Sequence, residues 1–276
     1  MMDPPSPDAP PLQQHSGYAA ALARLGRRAE TVRTGGAAML VLRRGPLTLT
    51  ARGPLWDSAL DLAARTLWLR RHGPRLVEAE ADDAPALAAA GYGRVLTSAA
   101  VADLDLTGGP QAIWARARGK WRNRALVGRR AALRLRNAPF DGDPDHWLLS
   151  AEARMRSERA YRALPLALTV AFAAANPGAA RLFVMERGTQ PLAGMLFFRH
   201  GRAVTYMTGW TGPEGRAVSA HHLILMRAAA WYGARGAVRM DLGSVDTEAA
   251  PGLARFKLGS GARLRRLGGS WLRLRW

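Results

Sequence analysis

Apolar residues along this chain recur with two periods, and glycine and proline mark the points where the period changes. In the first half a helix is predicted from Tyr18 to Arg28. Strands follow at Glu30–Arg33 and Ala37–Arg44, around Gly35-Gly36, and at Leu47–Ala51. After the turn Arg52-Gly53-Pro54, Asp57 is placed to cap a helix running to about His72. A strand at Arg75–Ala79, a helix at Asp83–Ala90 and a long strand at Arg94–Leu106 come next. Thr107-Gly108-Gly109-Pro110 then breaks the pattern.

The second half repeats the plan with sharper contrast. A strand at Ala131–Arg136 leads through Pro139–Pro144 to helices at Asp145–Arg162 and Leu166–Ala175, ended by Asn176-Pro177-Gly178. Strands at Arg181–Arg187, Pro191–His200 and Arg202–Gly209 form a meander, and the loop Thr211–Arg216 opens a helix at Ala217–Tyr232. A strand at Ala237–Leu242, a Gly-rich loop and strands around Arg263–Leu267 and Trp271–Arg275 complete the series. This order predicts a mixed α/β (α+β) protein of two similar units, each a mostly antiparallel sheet flanked by helices. The expected division is a disordered Pro-rich tail at 1–16, a first unit at 17–106 and a second at 107–276. The C-terminal strand 271–276 is a candidate to complete the first unit.

Charge is placed unevenly on this plan. Between Leu106 and Phe140 there are nine basic residues and no acid. Trp114, Ala117, Trp121, Ala125, Gly128 and Ala132 recur there at three- and four-residue steps, the buried stripe of an amphipathic helix. Its other side carries Arg116, Lys120, Arg122, Arg124, Arg129 and Arg130. Like charges one helical turn apart repel, so a face of one sign points to an anionic partner.

The whole chain leans the same way, with a net charge of +19 and a pI near 11.6. Such an excess draws polyanions, and nucleic acid, phosphorylated substrates and anionic membrane surfaces all stay open as partners. A GC-rich coding bias raises Arg, Ala, Gly and Pro together, but does not by itself lower Asp and Glu to 21. The hydrophobic share of 48% and charged share of 22% are those of a folded protein. Cysteine is absent, which removes disulfides, thiolate metal sites and cysteine nucleophiles. The first residues lack a basic region followed by an apolar core, and the longest nearly uncharged run, Leu164–Ala175, is too short to cross a bilayer. A cytoplasmic location is the expectation.

Of the forty basic residues only two are lysines, Lys120 and Lys257. Arginine does not replace lysine where a compact, deprotonatable ammonium is needed, so both are candidates for chemistry. Each also lies in a stretch that resembles a known family. Trp114 with Lys120, Arg122, Asn123, Arg124 and Ala125, then Leu182-Phe183-Val184 and Leu192-Ala193-Gly194, resemble the Gcn5-related N-acetyltransferases (GNAT). Most specific is Met240-Asp241-Leu242-Gly243 continuing to Pro251-Gly252-Leu253-Ala254-Arg255-Phe256-Lys257. With Arg52-Gly53-Pro54 and Asp103-Leu104-Asp105-Leu106 in the first half, residues 17 to 276 resemble the Fem-type branch, which carries two such domains in tandem. The resemblance implies transfer of an acyl or aminoacyl group to an amine, with no tightly bound cofactor. Aminoacyl-tRNA is the implied donor, acyl-CoA the alternative; the amine acceptor is not identified. Cell-wall members of the branch are longer, some with a coiled-coil arm that this chain does not show.

Acyl transfer to an amine passes through a tetrahedral oxyanion and needs a route for the amine proton. By the family match, Phe256-Lys257 is the expected pair, Lys257 offering an ammonium to the oxyanion or to a donor phosphate; the alternative is a surface lysine. Asp241, at the end of an apolar strand, is a candidate to accept the amine proton or hold the attacking ammonium, or else caps the following turn or pairs with Arg239. The stretch Gly212–Ala220 stands where acetyltransferases hold the coenzyme A pyrophosphate. It keeps Arg216 and Ser219 as anion or substrate contacts but departs from the Gly-rich pattern. His221 and His222 have no companions at metal spacing, so no metal is expected and a packing or acceptor-contacting role remains. Trp210, beside a loop, is the tryptophan expected to touch substrate. A non-catalytic protein using the basic face for nucleic acid or for peripheral contact with an anionic membrane stays as a third reading.

Overall fold

The computed structural model describes residues 9–159 and 164–273. The predicted helix end at 160–162, the strand end at 274–275 and the first eight residues of the tail lie outside the described residues.

Two seven-stranded sheets carry the architecture. The N-terminal sheet is formed by β1 (Arg28–Thr34), β2 (Ala37–Arg44), β3 (Leu47–Ala51), β4 (Leu55–Trp56), β5 (Leu76–Ala79) and β6 (Tyr92–Leu96), with α1 (Ser16–Arg24) before them in sequence and α2 (Leu62–His72) and α3 (Ala84–Ala89) between them. β7 (Ala100–Asp105) begins the C-terminal sheet. Helices α4 (Gly109–Arg116) and α5 (Gly119–Arg130) follow, then β8 (Arg134–Pro139), α6 (Trp147–Arg159) and α7 (Leu166–Ala175). The meander is β9 (Ala180–Arg187), β10 (Gln190–His200) and β11 (Ala203–Thr211); after it come α8 (Pro213–Ala217), α9 (Ala220–Gly233), β12 (Arg239–Ser244), α10 (Pro251–Gly259) and β13 (Arg263–Arg266). The last described strand, β14 (Gly269–Arg273), returns to the N-terminal sheet and lies between β5 and β6.

The run read as one strand over Arg94–Leu106 is two strands in different sheets. β6 is mostly exposed and sits at an edge, whereas β7 is buried along both faces and lies between β12 and β13. A strand apolar on both sides needs two neighbours. The basic stretch likewise divides into α4 and α5, because Ala117 and Arg118 are extended and the Arg118 N–H donates to Gly259 O at 2.9 Å. Gly261 allows this approach: a Cβ there would stand 2.7 Å from the Arg116 carbonyl, at a φ of +95°.

Three further expectations change. Residues 9–16, expected in a disordered tail, are packed: Leu12 is buried, and the Gln14 side chain donates to Ala51 O at 2.6 Å while accepting the Leu40 N–H at 2.8 Å. The helix expected to be capped by Asp57 begins at Leu62 under Asp61, whose carboxylate accepts the Ala64 N–H, because Leu55–Trp56 are taken up as β4 against β2. The loops around Arg216 and before Lys257 are the helices α8 and α10.

Alternation along the strands divides the C-terminal sheet's two faces. Met240, Leu242, Met195 and Phe197 pack with Trp121, Ile224 and Ala228 in one core. On the opposite face Leu196 and Phe198 pack against α1 and α7, and Phe198 stacks on Phe172 at 4.1 Å. Arg239 and Asp241, out of phase with Met240 and Leu242, lie on that second face.

Candidate active site

β11 and β12 are the parallel pair of the C-terminal sheet, and they stay paired only over Ala203–Thr205 against Arg239–Asp241. β11 then runs on to Thr211 and β12 to Ser244 without joining. At the point of parting the register of β11 with β10 skips Met207, a bulge that re-aims the strand. Residues 205–211 are each partly exposed although β11 is a central strand. The two strands therefore open a wedge with unpaired strand edge on its β11 side.

The ends of the wedge are bound to two side chains of the predicted set. On the β12 side the Lys257 ammonium donates to Ser244 O at 2.7 Å. On the β11 side the His221 Nε2–H donates to Trp210 O at 3.0 Å, which fixes that tautomer because a carbonyl can only accept. Phe256 links them, with its ring 6.2 Å from His221 and edge-on to His222 at 5.2 Å. Trp121 closes the back: it stands 4.9 Å from His222 and donates its indole N–H to Phe256 O at 2.8 Å. Helix α5 is thus anchored directly to the Phe256-Lys257 segment.

Lys257 is 5% exposed, so the surface-lysine alternative does not hold. Burial depresses its pKa to about 8, against a smaller opposing pull from Asp241. Both histidines are held neutral by burial, His222 at about 4 with Arg124 nearby, and His221 below its ordinary value.

Asp241 is not in the wedge. It is 3% exposed, accepts the Gly243 N–H at 2.7 Å and pairs with Arg52 at 3.1 Å, on the sheet face away from α9. Burial works against its charge, but Arg52, Arg239, the Gly243 bond and Arg265 outweigh it and keep the carboxyl below the usual carboxylate range. A group so held is a poor proton acceptor, which removes the expected role of base.

Asp241 belongs to a buried ion network that joins the two sheets. Arg52 pairs with Glu80; Arg265 bridges Glu80 at 2.6 Å and Asp103 at 2.8 Å; Arg239 takes the other Asp103 oxygen at 2.7 Å and Ala9 O at 3.0 Å. Glu80, Asp103, Arg239 and Arg265 were not among the residues expected at a site. Asp103 and Arg239, as charges inside apolar strand runs, were the signal that the sequence offered.

The other predicted residues divide by exposure. Lys120, Arg124, Arg129 and Arg130 are exposed on α5. Arg116 pairs with Asp105 at 3.1 Å and Arg122 binds the carbonyls of Ala115 and Ala117 that end α4, so both are committed within the fold. Arg216 is exposed on α8. Ser219 is buried with a left-handed backbone at φ 55° and does not cap α9 through its side chain. The Trp210 ring packs edge-on against Trp147 at 5.9 Å, on the face opposite Phe256.

The acetyltransferase (GNAT) domain family matches residues 111–258, which span both sides of the wedge. No curated protein matches the chain. Among solved structures, FemX superposes with a TM-score of 0.75 at 12% identity, covering 94% of this chain and 93% of that one. The C-terminal domain of a lysylphosphatidylglycerol synthetase from Agrobacterium fabrum gives 0.57 at 12% identity over 95% and 88%. L-PGS from Bacillus licheniformis gives 0.52 at 13% over 99% and 93%. At such identities the likeness is one of fold. The match over more than half its length makes this chain a member of the GNAT acetyltransferase-domain family, in a tandem arrangement like that of FemX.

Proposed function

We propose that this acyltransferase moves an aminoacyl group from aminoacyl-tRNA to an amine acceptor in the wedge between β11 and β12. The observation that carries the reading is the Trp121–Phe256 bond, which joins the acid-free cationic helix α5 to the segment bearing Lys257. A nucleic-acid donor held by its phosphates on α5 brings its ester end to the wedge. The α8–α9 turn supports this choice over acyl-CoA. Its Arg216, Val218, Ser219 and His222 N–H groups already donate to Gly212, Glu214, Arg216 and Ser219 carbonyls, so few are left to cradle a pyrophosphate.

The acceptor nitrogen attacks the ester carbonyl carbon, and negative charge collects on the carbonyl oxygen. The Lys257 ammonium spends one N–H on Ser244 O, which fixes its position, and has two more to offer that oxygen. Collapse breaks the carbon–oxygen ester bond, and the leaving oxygen takes up a proton while the attacking nitrogen gives one up. A lysine with a pKa of about 8 can give the first and recover the second near neutral pH.

The test is transfer of radiolabelled aminoacyl groups from charged tRNA to a panel of amines, with acetyl-CoA and longer acyl-CoA in parallel. Consumption of charged tRNA alone is the expected result. Turnover of acyl-CoA with intact charged tRNA would overturn the donor assignment.

A further inference from the structure

A side chain from the end of β3, in the N-terminal sheet, reaches Asp241. Arg52 directly follows β3 with a left-handed backbone at φ 60°, a conformation that costs a residue with a Cβ and persists only where the surroundings impose it. The restraints are visible. Glu80 holds the guanidinium, and the Gln14 side chain is bonded to Ala51 O and Thr50 Oγ1 just before it. Gln14 also packs where a Cβ on Gly53 would stand, 2.7 Å from its nitrogen. So held, Arg52 extends to Asp241, whose other oxygen fixes the Gly243 N–H in the turn that delivers Ser244 O to Lys257.

We infer that Arg52 is a positioning residue for the transfer site: through its ion pair with Asp241 it fixes the Gly243–Ser244 end of β12 and sets the electrostatic field at the Lys257 amine. The inference rests on the reading of Lys257 given above. It assigns the N-terminal sheet a part in the reaction without any contact with substrate.

The charged and titratable groups around Lys257 come from every neighbouring element. β12 supplies Asp241 and Arg239, with Arg52, Glu80, Asp103 and Arg265 behind them in the network. α9 supplies His221 and His222, both held neutral and both against the Phe256 ring. Arg118, just before α5, and Lys120 on it are exposed to solvent, α10 exposes Arg255, and the 245–250 loop exposes Asp246 and Glu248. Among all these, Asp241 is the charge that opposes the effect of burial on the Lys257 amine. Removing Arg52 leaves that carboxylate less neutralised, so the amine should hold its proton to higher pH. Removing the Asp241 charge should do the reverse.

The experiment uses the full chain grown with lysine carrying carbon-13 at the ε-carbon. Two lysine resonances result, and exposed Lys120 is the internal control. Titration from about pH 6 to about pH 11 is expected to show Lys257 near 8 in the parent. Arg52→Gln should move it up and Asp241→Asn down, each on the order of half a unit, while Arg52→Lys, which adds a third lysine resonance, leaves the Lys257 titration in place. The alkaline limb of the turnover profile should follow these shifts. A Lys257 titration that does not move, or moves the same way in both variants, overturns the inference. If Arg52→Gln does not fold, Asp241→Asn and Glu80→Gln carry the test: both should lower the value, and no movement in either overturns it. A chain whose turnover survives Lys257→Arg refutes the catalytic reading separately, since the resonance is read without substrate.

Discussion

Trp121 and Phe256 stand 135 positions apart and share one hydrogen bond, indole N–H to main-chain carbonyl, at 2.8 Å. Trp121→Phe keeps a ring in the gap and deletes the donor, leaving a carbonyl short of its partner. The expected loss is about 1–3 kcal/mol in stability, read by urea unfolding. The larger expected effect is on turnover at saturating donor, because α5 and α10 lose their fixed relation.

Lys257→Arg retains the charge and loses the compact, titrating amine. The side chain is buried against Ser244 O and beside Gly243, where the planar guanidinium has no room to reproduce one short donor. Turnover should fall by about 10²-fold or more, the usual cost of losing an oxyanion donor. Lys120→Arg, on the exposed side of α5, should leave turnover unchanged; steady-state kinetics on the two single variants separates the roles.

Donor binding should weaken with salt in proportion to the cations free to meet phosphates. Arg116 and Arg122 are occupied within the fold, which leaves Lys120, Arg124, Arg129 and Arg130 on this face of α5. Four contacts give a slope of log K against log salt of about −3 to −4. Replacing Arg129 and Arg130 by Gln should reduce its magnitude by about 1.4–1.8, as filter binding at several salt concentrations would register.

His200 makes stability depend on acid. It is fully buried, its Nε2 lies 2.8 Å from Thr205 Oγ1, and burial, reinforced by Arg239 and His15, lowers its pKa to about 3. The unfolded chain takes up the proton near the ordinary value of about 6.5. Between these values the unfolded state binds the extra proton, so stability is whole above about pH 6.5 and declines as pH falls towards 3. The decline by pH 4 should be about 3 kcal/mol from this group. His200→Asn should flatten that part of the curve, measured by urea unfolding at several pH values, even though it lowers stability at neutral pH.

The phase of the basic stretch was legible: Trp121, Ala125 and Gly128 are buried as the three- and four-residue steps require. Its break at Ala117 was not, because the cause lies in Gly259 and Gly261, far along the chain. Lys257 stood out by being a lysine, and the ring of its chain neighbour Phe256 does meet His221 and His222. Asp241 misled because a carboxylate before a Gly-rich turn looks the same from sequence whether it faces a cleft or a buried arginine. Arg265 reaches Glu80 across 185 positions and Asp103 across 162, and no local pattern records such pairs. The helical turn at α10 was missed for a different reason, since nine residues with proline and two glycines give little periodic signal.

β14, threaded between β5 and β6, and β7, held between β12 and β13, have a consequence for how the molecule comes into being. During synthesis the earlier half emerges with a gap between β5 and β6 that only residues 269–273 can fill, so it must wait for the later half rather than fold ahead of it. The two halves cannot be expressed apart, swapped with those of a relative at residue 106, or trimmed at the C-terminus without opening a sheet in the half left behind.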